Sequence, residues 1–250
     1  MYHNEREIEI LKVLAEENYV TVKSLSDRLF TSQSSIRRDL QTLEGQGLIR
    51  RSYGGAELSK SASGILPFST RAHRNIAAKK SMAQKAAALV NKGDMVFLDQ
   101  SSSSYYVAAE LRKIPGITVV TNNVEILTLL SQTDLQVIST GGHLSRSNRN
   151  CLLGTDAQQL FSQIHADILF FSAKAMTPDG TVYDCDREEI CLRHQMLASA
   201  DKRVFLCGSD KYGQTSGYKQ CTADDLHYII TEKPDRELFA PLGPHLEKLL

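Results

Sequence analysis

Apolar positions follow a helical period in the first part of the chain and alternate between short strands and helices after it. Ile36, Leu40 and Leu43 are spaced four and then three residues apart, which predicts a helix that carries all three on one face. Leu25 and Leu29, four residues apart, predict a shorter helix before it. The pattern therefore predicts two helices joined by a tight turn.

Polar and small residues mark where these helices begin and end. Val20 and Val22 predict a short extended segment before the first helix, and Thr21 or Ser24 can cap that helix. Thr31 and Ser32 separate the two helices and offer a hydroxyl cap to the second. Gly45 and Gly47 end the second helix. The strand LIRRSY and the turn Gly54-Gly55 follow, while residues 5–17 add a further helix in front.

The polar face of the second helix predicts a DNA-reading surface. A helix, a turn and a second helix followed by a basic hairpin is the layout of a winged helix-turn-helix, whose second helix enters the major groove. Serine, glutamine and arginine side chains can bind base edges or phosphates. An ordinary helical pair with a solvated polar face would give the same periodicity. The candidate DNA-binding residues are Ser32, Gln33, Ser34, Ser35, Arg37, Arg38, Arg51 and Tyr53.

This segment resembles the winged helix-turn-helix of the DeoR family of bacterial sugar-metabolism repressors. The matching residues are Ser32, Ile36, Arg37, Arg38, Asp39, Leu40, Leu43, Glu44, Gly47, Arg51, Gly54, Gly55 and Ala56. Ser35 stands where the family usually has threonine, and Tyr53 where histidine is commoner. Both keep a hydrogen-bonding group, so the resemblance implies DNA binding.

From Arg71 onward, β-rich apolar runs alternate with helical segments of about ten residues. Residues 71–92 read as one long helix that stops at Gly93, and further helices are expected near 103–113, 123–132, 155–164 and 187–200. This alternation predicts an α/β domain with a mainly parallel sheet covered on both faces. The predicted strands are 95–99, 117–121, 135–139, 167–172, 203–207 and 228–231.

Polar residues follow four of these strands, at the edge where α/β sheets bind ligands. Hydroxyl residues at such turns offer backbone N–H groups and helix N-termini to an anion, and glycines allow close approach. Four such turns on one edge predict a site for a phosphorylated small molecule, although capping and turn residues alone would give the same pattern. The candidate effector-binding residues are Asp99, Ser101, Ser102, Ser103, Thr121, Asn122, Gly141, Gly142 and Lys211.

Residues 71 to about 232 resemble the sensor domain of the same family, whose fold is similar to sugar-phosphate isomerases and CoA transferases. The matching residues are Arg71, Asn75, Lys79, Asp99, Thr121, Asn122, Gly141, Gly142, Gly154, Gly180, Glu189, Arg193, Lys211, Tyr212 and Gly213. Ser101 replaces a loop glycine, and Gly208 and Asp210 replace the aspartate and serine of the last motif. The resemblance implies a repressor switched by a phosphorylated sugar.

The alternative function is an isomerase-like enzyme. Its candidate acid and base groups are Asp99, His143 and Glu189, each near a predicted loop. These loops do not bring together a base, an acid and a residue that orients them. An isomerase would also have no need of a DNA-binding domain. We therefore expect no catalysis and no cofactor.

Composition changes this picture little. The 250 residues have a net charge of zero. Residues 18–56, however, carry six basic and three acidic side chains, and this basic excess lies in the segment that is predicted to bind DNA. The expected organisation is a DNA-binding domain over 1–56, a linker over 57–70 and a sensor domain over 71–250. A single winged module makes a small interface, so we expect a homo-oligomer, a dimer or tetramer, on double-stranded DNA.

The cysteines and the hydropathy bear on compartment and metal. Five scattered cysteines without a CxxC motif are typical of a reducing cytoplasm, and no segment reads as a signal peptide or membrane span. Cys185, Cys191 and His194 lie within ten residues, but their spacing matches no zinc motif and no fourth ligand is evident. We therefore expect a cytoplasmic protein without a metal.

Overall fold

A computed structural model describes residues 3–17, 19–45, 48–58 and 68–250 of the chain. It separates the chain into a first unit, Met1–Arg74, and a second unit, Asn75–Leu250. Gly47 and most of the expected linker over 57–70 lie outside the described residues.

The first unit is a small helical module with a hairpin. Ile36, Leu40 and Leu43 are buried together, as their spacing predicts. Thr21 caps the second helix, since its side chain accepts a hydrogen bond of 3.1 Å from the Ser24 amide. Val22 is the first residue of that helix and not part of an extended segment, because this cap already ends the strand at Thr21. The elements are α1 His3–Glu16, β1 Val20–Thr21, α2 Val22–Arg28, α3 Gln33–Gly45, β2 Ile49–Ser52, β3 Gly55–Leu58 and α4 Phe68–His73.

The hairpin β2–β3 joins β1 in a three-stranded sheet of order β1-β3-β2. Its antiparallel register pairs Arg50 with Glu57, whose side chains are 3.8 Å apart. The Val22 amide donates a hydrogen bond of 2.8 Å to the Gly54 carbonyl in the hairpin turn. The hairpin is thereby tied to the start of α2, and it forms the predicted wing.

A buried ion pair joins α1 to α3. The Arg6 guanidinium donates two hydrogen bonds to the Asp39 carboxylate, one from Nε to Oδ2 and one of 2.9 Å from Nη2 to Oδ1. Asp39 is fully buried, and Arg6 is 17% exposed. The Asp39 hydrogen bond raises the pKa of Arg6. Asp39 therefore holds the orientation of α3 against α1, whereas its neighbours Arg37 and Arg38 face solvent.

The second unit is built on a six-stranded sheet of order β14-β12-β9-β4-β5-β6, in which every neighbouring pair is parallel. This confirms the predicted α/β class. Two smaller antiparallel sheets, β7-β8 and β10-β11-β13, were not predicted. The elements are α5 Ile76–Ala87, β4 Met95–Leu98, α6 Ser102–Leu111, β5 Thr118–Thr121, α7 Val124–Leu130, β6 Gln136–Ser139, β7 His143–Leu144, β8 Leu152–Leu153, α8 Thr155–Gln163, β9 Ala166–Phe171, β10 Ala175–Met176, β11 Thr181–Asp184, α9 Arg187–Ala198, β12 Ala200–Leu206, β13 Tyr218–Thr222 and β14 Tyr228–Ile230, with 3-10 turns at Ser209–Lys211, Ala223–Asp225 and Ala240–Lys248.

Successive residues of the central strands serve two cores, one on each face of the sheet. In β4, Phe97 belongs to one core, while Val96 and Leu98 belong to the other. In β9, Phe171 and Phe170 divide in the same way. This double burial explains why the strands read as continuous apolar runs.

The prediction of one long helix over residues 71–92 is wrong. The chain forms two helices there, α4 and α5, which are separated at Arg74 and Asn75. Asn75 has φ 53° and ψ 44°, a left-handed conformation that no helix contains. α4 contacts α1 and belongs to the first unit, whereas α5 contacts α6 in the second.

Among the described residues, no helix is both apolar enough and long enough to cross a membrane.

We expect Asp39→Ala to destabilise the first unit by about 2 kcal/mol, because it removes two charged hydrogen bonds between Arg6 and a fully buried carboxylate. Glu9→Ala is the matched control, since the Glu9–Lys12 pair is partly exposed on both sides and such pairs contribute about 0.5 kcal/mol. Hydrogen exchange of the α3 amides measures the difference. Equal protection in the two variants would contradict the structural role of Asp39.

Candidate functional site

The solvent-facing side of α3 is polar and basic. Gln33, Ser34, Arg37 and Arg38 are exposed, while Ile36 on the opposite side is fully buried. The Arg37 Nη2 donates a hydrogen bond of 3.4 Å to the Gln33 Oε1. The first two turns of α3 thus present amide and guanidinium groups together.

Three serines shape the start of α3. The Ser35 amide donates a hydrogen bond of 3.2 Å to the Ser32 Oγ, which caps the helix. The Ser32 Oγ also lies 2.9 Å from the Ser34 Oγ and 3.0 Å from the Ser35 Oγ. Ser35 is only partly exposed. Ser32 and Ser35 therefore stabilise the helix start, and Ser34 presents its hydroxyl most openly.

The wing carries Arg51 and Tyr53. The Glu44 carboxylate at the end of α3 accepts a hydrogen bond of 3.1 Å from the Arg51 amide and lies 3.7 Å from its guanidinium. Tyr53 is fully exposed in the hairpin turn, and its carbonyl accepts a hydrogen bond of 2.8 Å from the Tyr19 hydroxyl. Helix, wing and the loop at Tyr19 are therefore fixed to one another, with guanidinium and phenol groups facing solvent.

The second unit has its polar cluster at the carboxyl ends of β4 and β9. These strands are neighbours, and the chain extends from β4 to β5 on one side and from β9 to β12 on the other, so this is the point where strand order reverses. Asp99, which follows β4, is fully buried. Its Oδ1 accepts hydrogen bonds from the Ser101 amide (3.1 Å) and the Ser104 hydroxyl (2.6 Å). Its Oδ2 accepts one of 3.2 Å from the Ser172 amide after β9.

Ser101, at the position of the family glycine, caps α6. The Ser104 amide donates a hydrogen bond of 3.0 Å to the Ser101 Oγ. Ser101 has φ −73° and ψ 152°, a conformation that any residue adopts, so its Cβ causes no strain. The serine therefore adds a cap to a loop that needs no glycine at this position. Ser102 and Ser103 form the first turn of α6 and are nearly buried.

Lys211 reaches the same edge from the turn after β12, the strand next to β9. Its ammonium Nζ donates a hydrogen bond of 2.5 Å to the Ser172 Oγ, and that hydroxyl donates one of 2.7 Å to the Leu206 carbonyl. Burial lowers the pKa of Lys211, although the nearby Asp210 and Asp99 carboxylates oppose this shift. The site therefore has an ammonium group close to the capped start of α6.

A fully buried arginine braces the floor of this site. The Arg193 guanidinium lies 3.3 Å from the Asp99 Oδ2, 2.9 Å from the Asp184 Oδ2 and 4.0 Å from the Glu189 Oε2. It also donates a hydrogen bond of 2.8 Å to the Gln220 Oε1. Burial alone would lower the pKa of Arg193, but the three carboxylates raise it above its usual value.

The predicted effector residues do not all face an open site. Thr121 and Asn122 are fully buried. The Thr121 hydroxyl donates a hydrogen bond of 2.8 Å to the Leu98 carbonyl, and the Asn122 Nδ2 donates one of 3.3 Å to the Leu152 carbonyl. Gly141 and Gly142 are exposed beyond β6, and a Cβ on Gly142 would lie 2.2 Å from the Leu153 carbonyl oxygen. Ser172 contacts both Asp99 and Lys211, and Ser101 contacts Asp99, whereas the two glycines lie in the loop after β6.

The sequence pattern marked Glu189 but did not select its partners Gln100 and Asn148, or Ser172, as residues of this cluster. Glu189 accepts hydrogen bonds of 2.6 Å from the Gln100 Nε2 and 2.8 Å from the Asn148 Nδ2. Ser172 offered the same signal as the chosen residues, because it follows an apolar run directly. Nothing in the local pattern marks Asn148, which approaches Glu189 from 41 residues away.

Gly208 and Asp210, the other departures from the family pattern, depend on each other. A Cβ on Gly208 would lie 2.7 Å from the Asp210 Oδ1. The Asp210 Oδ2 accepts a hydrogen bond of 2.9 Å from the Asn75 Nδ2. The carboxylate absent at residue 208 is therefore replaced by one at 210, which is folded back over Gly208.

The cysteines are not arranged as metal ligands or nucleophiles. None of the five forms a disulfide, and burial raises the pKa of Cys185, Cys207 and Cys221 to about 12, so these three thiols stay protonated. The His194 Nε2 lies 2.7 Å from the Gln220 carbonyl. Within the described residues, no group of three or more His, Cys, Asp and Glu side chains is placed to hold a metal ion.

The candidate acid and base groups of the alternative function are engaged elsewhere. Asp99 and Glu189 both pair with Arg193. His143 is exposed on β7, with its Nδ1 against Gly154, where an added Cβ would approach it to 2.8 Å. A base needs a carboxylate or imidazole within reach of a reacting proton, and these contacts provide structure instead.

Comparisons with known proteins match the two units to two domains of the same family. The model of the DeoR-like helix-turn-helix domain matches residues 6–62, and that of the DeoR C terminal sensor domain matches residues 74–233. The HTH-type transcriptional regulator GolR of Listeria innocua is 34% identical over 233 residues, which are 93% of this chain and 91% of that protein. The L-fucose operon activator of Haemophilus influenzae is 30% identical over 98% of this chain and 97% of its own.

The chain is also similar to a solved D-ribose-5-phosphate isomerase in complex with phospho-erythronic acid. That similarity has a TM-score of 0.41 and 15% identity, and it covers 54% of this chain and 52% of the isomerase.

We expect Ser101→Ala to destabilise the second unit by about 1 kcal/mol, because it removes the cap of α6, whereas Ser101→Gly should cost only a few tenths. Ser162→Ala is the control, since its exposed hydroxyl bonds only the Gln159 carbonyl within the same helix. Hydrogen exchange of the α6 amides measures the difference in stability. If Ser101→Ala proves no less stable than the control, the cap is energetically unimportant.

Proposed function

This chain belongs to the DeoR family of transcriptional regulators, and on that premise we propose that it represses a carbohydrate-metabolism operon until a phosphorylated sugar releases it. Membership makes it a DNA-binding regulator and not a sugar-phosphate isomerase. The release, the effector class and the residue roles below are the content of the proposal.

The exposed face of α3 supports the DNA-binding part of this proposal. Arg37 and Arg38 extend from a helix whose opposite side is fully buried, so the helix can enter a major groove without losing core contacts. Gln33 and Ser34 supply base-edge groups, while Arg51 and Tyr53 on the wing contact the backbone. Ser32 and Ser35 hold the helix start in place.

The contact between Lys211 and Ser172 is the observation that carries the effector half. An ammonium group 2.5 Å from the Ser172 hydroxyl lies at the strand edge where α6 begins. The first turn of α6, Ser102–Ser103, offers backbone N–H groups to a phosphate. Lys211 then leaves Ser172 to pair with the bound anion.

Repression is the outcome that operator occupancy alone produces, because a bound protein excludes polymerase from an overlapping promoter. An effector releases it only by as much as it distinguishes the two states of the protein. The Haemophilus relative is called an activator, so a reporter gene placed behind the operator is the decisive readout. Five cysteines without a disulfide support a cytoplasmic location.

Arg37→Ala and Arg38→Ala should each weaken binding to an operator selected from random duplexes with the parent protein. A base-reading arginine costs about 1–3 kcal/mol and relaxes one position, whereas a phosphate-binding one lowers the salt slope by about one. Arg112→Ala removes an equal charge from the exposed end of α6 and serves as control. Fluorescence anisotropy measures both effects. If both variants bind the operator as tightly as the parent, α3 is not the recognition helix.

Lys211→Ala should abolish the response to the effector and leave DNA affinity nearly intact. In a thermal-shift screen against sugar phosphates, a ligand at a hundred times its dissociation constant stabilises the parent by about 2.7 kcal/mol. Lys92→Ala, an exposed lysine outside the site, should keep that shift. An unphosphorylated sugar that shifts the parent equally would refute the role of the phosphate.

The DNA-bound form should be a dimer or tetramer, because one winged module buries too little surface for tight specific binding. Sedimentation of the protein with its selected operator tests this expectation. A strict monomer on DNA at micromolar concentration would count against the proposal.

A further inference from the structure

Asn75 has an unusual backbone at a decisive place. It is the first residue of the second unit and separates α4, which contacts α1, from α5. Its φ of 53° is one of two positive values among the non-glycine residues that the structure describes. Asparagine adopts left-handed backbone more readily than most residues, and a hydrogen bond of its side chain helps to hold it there.

The contact that holds Asn75 comes from the opposite end of the sequence. Its Nδ2 donates a hydrogen bond of 2.9 Å to the Asp210 Oδ2, across 135 residues. Its carbonyl accepts one of 3.1 Å from the Lys79 amide in α5. The side chain of Asn75 therefore ties the junction between the two units to the segment after β12.

Asp210 shares a single 3-10 turn with Lys211. The turn spans Ser209–Lys211 and is closed by a hydrogen bond of 2.9 Å from the Lys211 amide to the Gly208 carbonyl. A shift of the Lys211 backbone within so short a turn also moves Asp210. The absence of a side chain at Gly208 lets the Asp210 carboxylate fold back towards Asn75, since a Cβ there would lie 2.7 Å from the Oδ1.

We infer that Asp210 and Asn75 are positioning residues that transmit occupancy of the Lys211 site to the α4–α5 junction. When an anion draws Lys211 from Ser172, the turn shifts and the Asp210 carboxylate releases the Asn75 amide. The junction then loses a contact that holds its left-handed backbone. The coupling rests on the proposed effector site, and neither residue touches the ligand.

The test is hydrogen exchange of the full-length protein with and without ribose 5-phosphate, and separately with inorganic phosphate, at millimolar concentration. Two peptides report: residues 206–216 on the Lys211 turn and residues 69–80 on the junction. In the parent, we expect a probe to change exchange in both, by about fivefold or more at the junction, the lower end of usual allosteric couplings.

Four variants separate coupling from simple stability. Asp210→Ala and Asn75→Gly remove one partner each, and the glycine keeps the left-handed backbone available. Gly208→Ala keeps both partners but displaces the Asp210 carboxylate. All three should respond at 206–216 and not at 69–80. Asp210→Asn retains an acceptor oxygen for Asn75 and should keep both responses.

The outcomes are distinct. A response at 206–216 without one at 69–80 in the parent overturns the coupling and leaves the effector site standing. Junction responses in Asp210→Ala and Asn75→Gly that equal those of the parent also overturn it. If neither compound changes 206–216 in the parent, the proposed effector site fails, and the coupling fails with it.

Discussion

The buried guanidinium of Arg193 is the interaction on which the second unit depends. It joins Asp99 at the end of β4, Asp184 at the end of β11, Glu189 on α9 and Gln220 on β13. A fully buried charge is tolerated only when it is paired and hydrogen-bonded. Arg193 thus fixes the small antiparallel sheet and α9 against the parallel sheet, and it holds Asp99 where that carboxylate can organise the start of α6.

The two units use their charged residues in opposite ways. In the first, neighbouring charged residues of α3 lie in different surroundings, since Arg37 and Arg38 face solvent while Asp39 is buried against Arg6. In the second, the Arg193 guanidinium is buried among carboxylates, and the Lys211 ammonium donates to the Ser172 hydroxyl. That difference fits a first unit whose basic residues face the DNA and a second unit whose basic residues hold its own fold together.

The local pattern of apolar residues was enough to predict much of the fold. The spacing of Ile36, Leu40 and Leu43 placed the core face of α3, and continuous apolar runs placed all six strands of the parallel sheet. The break at Asn75 was not predictable, because residues 71–92 form good helix by composition and the left-handed turn is held by a contact from Asp210. The antiparallel strands β10, β11 and β13 are short and interrupted, and distant partners such as Arg193 stabilise them. The roles of Ser102, Gly141 and the other candidate site residues stay predictions.

The fit between Gly208 and Asp210 makes the two positions interdependent. With 2.7 Å between the missing Cβ and the Asp210 Oδ1, any larger residue at 208 requires the Asp210 carboxylate to move from its present place. The same carboxylate accepts the hydrogen bond from Asn75. The effect of a substitution at 208 therefore depends on which residue stands at 210, so the two positions should show non-additive effects in a double-mutant cycle.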